Sequence, residues 1–123
     1  MKKMLLWLSA HAFVSGLEIA LLLFVVPVFG DMFADFGVSL PYPTRLVLGV
    51  SLWLRRYLFF LIPPMLGLFV FDGAGGWLLQ QRVGKGAATA WWATILALLV
   101  AAFTLMLLAL WTPMMVMQEV VQP

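Results

Sequence analysis

The chain has 123 residues, of which 65% are hydrophobic and 10% charged, with a formal net charge of +2 and no cysteine. A soluble domain carries roughly 25% charged and 45–50% apolar residues, and a small fold cannot cover so much apolar surface, so a water-soluble globule is excluded. The lack of cysteine excludes disulfide scaffolds, thiolate metal sites and cysteine nucleophiles, and the small scattered charge does not point to nucleic acid.

Met1-Lys2-Lys3 gives a basic start, and Ala10-His11-Ala12 has the small-x-small form of a cleavage site. The apolar stretch between them, Met4–Leu8, is shorter than the ~7–15 residues of a signal core, and apolar sequence continues past it. An uncleaved anchor is expected. The first span is placed at about 4–27, a helix of about 36 Å against a hydrocarbon core of about 30 Å. Pro27 is expected to end it, because proline cannot continue the hydrogen-bond ladder.

His11 and Glu18 are the ionisable residues inside this span. Seven positions apart, they lie about 20° from one another around a helix. Carboxyl groups at membrane depth usually face protein rather than lipid. Two readings stay open: a proton relay, or a contact with a neighbouring helix or subunit. His11 is also weighed as an axial ligand to a porphyrin metal, with no second residue in support.

An external connector follows, at about 28–53. Asp31 and Asp35 are four apart in "DMFADFG" and would share one helix face opposite Met32, Phe33 and Phe36. That pattern suits a short amphipathic helix on the membrane surface or a neighbouring protein, with Gly37 as its left-handed cap. Pro43-Thr44 then marks the start of a further helix, with Thr44 as N-cap.

The second span is placed at about 54–71. Arg55 and Arg56 sit at its outer end, with Trp53 and Tyr57 as interfacial anchors; Arg45 belongs to the same external set. Pro63-Pro64 is expected to kink or break this span. Asp72-Gly73-Ala74-Gly75-Gly76 is expected to end it and to open a cytoplasmic hairpin, 72–86. Gly84-Lys85-Gly86 within that hairpin lacks the glycine and hydroxyl spacing of a phosphate loop.

The third span, at about 87–111, carries no charge. Trp91, Trp92 and Trp111 lie near its ends as interfacial anchors, and Pro113 is expected to stop it. The tail, 112–123, includes Met114, Met115 and Met117 and reads as an apolar interfacial segment rather than a thioether copper site. Lys2, Lys3, Arg82 and Lys85 fall on one side, against Arg45, Arg55 and Arg56 on the other. The positive-inside rule then puts the N-terminus in the cytoplasm.

The stretch from Leu21 to Tyr57 resembles the first membrane span and following loop of the type II secretion F protein and type IV pilus platform (PilC-like) family. That family shows an apolar span ending in V-P-x-F, followed by a connector of the form F-x-D-x-G-x-x-L-P-x-P-T-R. The corresponding positions are Val26, Pro27, Phe29, Phe33, Asp35, Gly37, Leu40, Pro41, Pro43, Thr44 and Arg45. The end of the chain, "LLALWTPMMVMQEVVQP", is similar to the family's last span. The resemblance covers about half the chain and implies a bacterial inner-membrane platform component. The family's two cytoplasmic domains, which contact the assembly ATPase, find no counterpart here, so the expectation is its membrane core alone.

The expected protein is all-α: an integral membrane protein with three transmembrane helices and a short amphipathic external connector. Its expected function is that of a non-catalytic structural subunit packed into a larger inner-membrane assembly. The contact candidates are Glu18, His11, Asp31, Asp35, Arg45, Arg55 and Arg56. Small residues that permit close helix approach, Gly16 and Ala20 on the first span and Ala93, Ala97, Ala101 and Ala102 on the third, fit the same reading. An accessory subunit of a respiratory or photosynthetic complex is the first alternative, and a small transporter or ion channel using His11 and Glu18 the second. No metal or cofactor is predicted. Lipid is the expected companion, and pigment or haem contact is left open. Partners are other membrane subunits and the bilayer, not nucleic acid.

Overall fold

A computed structural model describes residues 1–121. The elements are α1 (Lys2–Ala20), a π-helical segment (Leu21–Val25), α2 (Val26–Phe36), α3 (Tyr42–Arg82) and α4 (Lys85–Val121), with no strand among the described residues. α1, the π segment and α2 join without a break. Three runs are therefore long and apolar enough to cross a membrane: Lys2–Phe36, Tyr42–Arg82 and Lys85–Glu119. The protein is an all-α membrane protein with three transmembrane helices.

Several helices outrun the ends expected from sequence. Pro27 lies inside the first run, which ends at Gly37 in a left-handed conformation with φ 62°. The Asp31–Asp35 turn is thus continuous with the first span, and its left-handed glycine cap is the one expected. α3 starts at Tyr42, so Thr44 lies inside the helix rather than capping it, and the loop between the first two runs shrinks to residues 37–41. Pro63 and Pro64 sit within α3 without interrupting it, and the glycine-rich stretch from Asp72 does not end the helix, which runs on to Arg82. Pro113 lies inside α4. Of the expected tail, Gln122 and Pro123 lie outside the described residues.

One physical reason covers these differences. Proline breaks helices because it lacks an N–H and its ring clashes with the preceding turn, and glycine because of its backbone freedom. In hydrocarbon a broken helix would expose backbone groups with no water to bind them, so the helix persists wherever the groups freed by proline find a partner. At Pro27 part of the adjustment is the π segment itself, where the Val26 N–H donates to the Leu21 carbonyl five residues back.

The residues fall into two compact units. The first comprises Met1–Gly16 and Leu58–Ala101. It buries Ala88 and Trp92 together with His11 and Asp72. Here the glycines permit close approach: a Cβ on Gly75 would come within 3.2 Å of the Trp91 ring, and one on Gly76 would overlap the Trp92 indole. Trp92, expected at the interface, is instead 2% exposed, seated where Gly76 has no side chain.

The second unit comprises Leu17–Tyr57 and the chain from Ala102 onward. Its core is Val26, Val47, Ala109 and Leu110, with Leu21, Leu22, Phe29, Leu48 and Met106 packed around them. Phe33, on α2, is also buried, whereas Phe36 remains exposed. Most other apolar side chains face outward, as hydrocarbon solvent allows.

Candidate functional site

In the first unit, α1 and α3 meet through a buried ionisable pair. His11 Nδ1 lies 2.5 Å from Asp72 Oδ2, and His11 Nε2 lies 2.9 Å from the Trp92 carbonyl oxygen on α4. Trp91 Nε1 donates to Asp72 Oδ1 at 3.2 Å. A carbonyl has no proton to give, so Nε2 must carry one and donate. The opposite nitrogen then shares a single proton with Asp72. Whether the pair is imidazolium–carboxylate or imidazole–carboxylic acid, its net charge is zero. Neutrality limits the cost of burial, and the full set of hydrogen bonds stabilises the arrangement.

Both nitrogens of His11 are thereby engaged within the chain. A porphyrin metal at this ring would have to displace Asp72 or the Trp92 carbonyl. His11 meets its partner on α3, at a residue that the sequence alone places in a helix-ending turn. The overlooked signal is an aspartate followed by three glycines in a stretch flanked by apolar residues.

The second unit joins its helices by hydroxyls. Thr44 Oγ1 donates to the Ala109 carbonyl at 2.6 Å, and Ser51 Oγ donates to the Leu22 carbonyl. Both acceptors are carbonyls that a proline has left without a donor. In a regular helix the Ala109 oxygen would accept from residue 113, which is proline and has no N–H. The Leu22 oxygen would accept from Val26, whose N–H goes instead to Leu21; its π-helical alternative, residue 27, is again proline. Thr44 and Ser51 are 0% and 2% exposed. Seven residues apart, they share one face of α3, and each closes a gap in a different neighbouring helix.

The remaining sequence-predicted residues are dispersed. Asp31, Asp35, Arg45, Arg55 and Arg56 are exposed. Arg45 stacks over Tyr42 and Arg56 over Tyr57, each about 6.0 Å from the ring centroid. Trp53 and Tyr57 pack at 5.8 Å between ring centroids. Glu18 is half-buried, and its Oε1 is enclosed with no hydrogen-bond partner among the described residues. Trp92 Nε1 is likewise enclosed and unpartnered. No group of three or more His, Cys, Asp or Glu among the described residues forms a metal-binding cluster.

A 44-residue stretch of the chain is 48% identical to the type IV pilus assembly protein PilC of Myxococcus xanthus (strain DK1622). The match covers 36% of this chain and 11% of that protein, so the chain spans about a tenth of the length of the curated relative it matches. No family model matches the sequence. No solved structure matches it.

Proposed function

We propose that the chain is a non-catalytic structural subunit of a bacterial inner-membrane assembly, similar to the membrane core of a pilus or secretion platform. The observation that carries this reading is the 48% identity over 44 residues to a pilus assembly protein. The three membrane-crossing runs and the connector motif from Val26 to Arg45 agree with it. In this reading the N-terminus is cytoplasmic, because Lys2, Lys3, Arg82 and Lys85 outnumber the arginines of the opposite set.

Polar groups at membrane depth support a subunit role. The half-buried Glu18 carboxyl is one. The double proline of α3 takes the regular helical donor from two backbone carbonyls. The Phe59 carbonyl loses its donors at i+4 and i+5 to Pro63 and Pro64, and the Phe60 carbonyl loses those at i+3 and i+4. No side chain of the described residues hydrogen-bonds either carbonyl. Phe59 and Phe60 are 89% and 81% exposed. Carbonyls that lose their regular donor in hydrocarbon favour an outside partner, so this exposed segment of α3 and Glu18 are the proposed contacts with neighbouring subunits, with Asp31, Asp35, Arg45, Arg55 and Arg56 as contacts at the membrane surface.

The test is purification from native membranes in mild detergent with quantitative mass spectrometry. Recovery with pilin-like subunits and an assembly ATPase is the expected result. Recovery only with haem- or chlorophyll-containing complexes would refute the proposal.

A further inference from the structure

In the second unit a cleft of about 250 Å³ is lined by Pro27, Gly30 and Asp31 from α2 and by Leu48, Ser51, Leu52 and Arg55 from α3. Its volume is below the roughly 300–1,000 Å³ of sites that enclose a whole small molecule, and suits a headgroup-sized fragment. The Ser51 hydroxyl is already committed to the Leu22 carbonyl. That leaves Asp31 and Arg55 as the charged groups of the cleft, one of each sign. Both are exposed, and among the described residues they form no ion pair with each other or with any other side chain.

The sequence around the cleft marks a water–hydrocarbon boundary. On the first run the charge-free stretch Ile19–Gly30 ends at Asp31. On α3, Arg55 and Arg56 immediately precede the charge-free stretch Tyr57–Phe71. Trp53 and Tyr57 flank Arg55 in sequence and pack on one another, as aromatic side chains do at headgroup level.

We propose that this cleft binds the headgroup of one phosphoethanolamine-type phospholipid, with the phosphate on Arg55 and the primary ammonium on Asp31. Arg55 offers a forked donor set matched to phosphate oxygens, and Asp31 accepts N–H bonds from the ammonium. Pro27, Gly30, Leu48 and Leu52 give the cleft an apolar wall. A choline headgroup fits less well: it has no N–H to donate, and quaternary ammonium is held by aromatic cages, whereas no aromatic side chain lines this cleft. A glycerol headgroup would leave the Asp31 carboxylate facing a net anion. The proposal requires only that the chain crosses a membrane, and stands apart from its membership of any particular assembly.

The test is native mass spectrometry of the full chain released from nanodiscs containing phosphatidylethanolamine, phosphatidylcholine and phosphatidylglycerol with identical acyl chains. One phosphatidylethanolamine retained in preference to the other two is expected. Arg55→Gln should lower its retention about tenfold, the scale of one charge-assisted contact. Asp31→Asn should lower phosphatidylethanolamine retention while sparing or raising that of phosphatidylglycerol. Arg56→Gln, outside the cleft, should change nothing. Both cleft positions are exposed, and unchanged helical circular dichroism verifies the fold of each variant. Equal retention of the three lipids, or equal effects of the Arg55 and Arg56 variants, would overturn the assignment.

Discussion

Replacing Thr44 with valine removes a hydroxyl and leaves the side-chain volume nearly unchanged, so it isolates one hydrogen bond. Thr44 is fully buried, and its Oγ1 lies 2.6 Å from the Ala109 oxygen. A buried acceptor left without a partner costs about 1–3 kcal/mol. Interhelical hydrogen bonds in membranes average only ~0.6 kcal/mol, with a maximum near ~1.7, because the reference state within the bilayer finds substitutes. The Ala109 carbonyl has no substitute at its regular helical position, since Pro113 has no N–H. We therefore expect a loss near the upper end, about 1.5 kcal/mol. Pro113→Ala restores the missing donor, so on that background Thr44→Val should cost less than about 0.5 kcal/mol, a coupling of about 1 kcal/mol in a double-mutant cycle. The assay is reversible unfolding in mixed detergent micelles followed by tryptophan fluorescence. Thr94→Val is the control, because the Thr94 hydroxyl bonds to the Ala90 carbonyl within its own exposed helical turn. Equal costs of Thr44→Val on the two backgrounds, or a Thr94→Val cost as large, would refute the reasoning.

Ser51→Ala should follow the same pattern, losing about 1 kcal/mol in the native chain and less when Pro27→Ala supplies an N–H near the π segment. At the ionisable pair, His11→Ala should cost about 3–5 kcal/mol in the same unfolding assay, because it strands a buried carboxyl group. Asp72→Asn should cost less than about 1 kcal/mol, since its amide can donate to a neutral His11 and still accept from Trp91. A severe loss for the asparagine variant would show that the ionic form is required. Gly76→Ala should destabilise by about 1–3 kcal/mol through overlap with the Trp92 indole, detectable as a shift in tryptophan emission. Gly67→Ala, whose added methyl would meet no neighbour within 4 Å, should be neutral or stabilising.

Much of the fold is readable from the residues alone. Long charge-free stretches require helices in hydrocarbon, because no other open-chain structure satisfies its own backbone there. Gly37 is readable as a left-handed cap because the need for positive φ is local. The helix ends are not readable in the same way. Pro27, Pro113 and the glycines after Asp72 stop helices in water, but here each sits opposite a group that makes continuation favourable: a π-turn with Ser51, the Thr44 hydroxyl, and the Trp91 and Trp92 rings.

Composition and periodicity by themselves determined the solvent, the helical class and the number of crossings, since these depend on summed transfer free energies and local backbone chemistry. The tertiary structure decided which polar groups meet. His11 pairs with a residue 61 positions away, and Thr44 with a carbonyl 65 positions away. Such partners are chosen by how helices pack. In a medium that offers no other hydrogen-bond donors, that packing also decides where each helix is allowed to end.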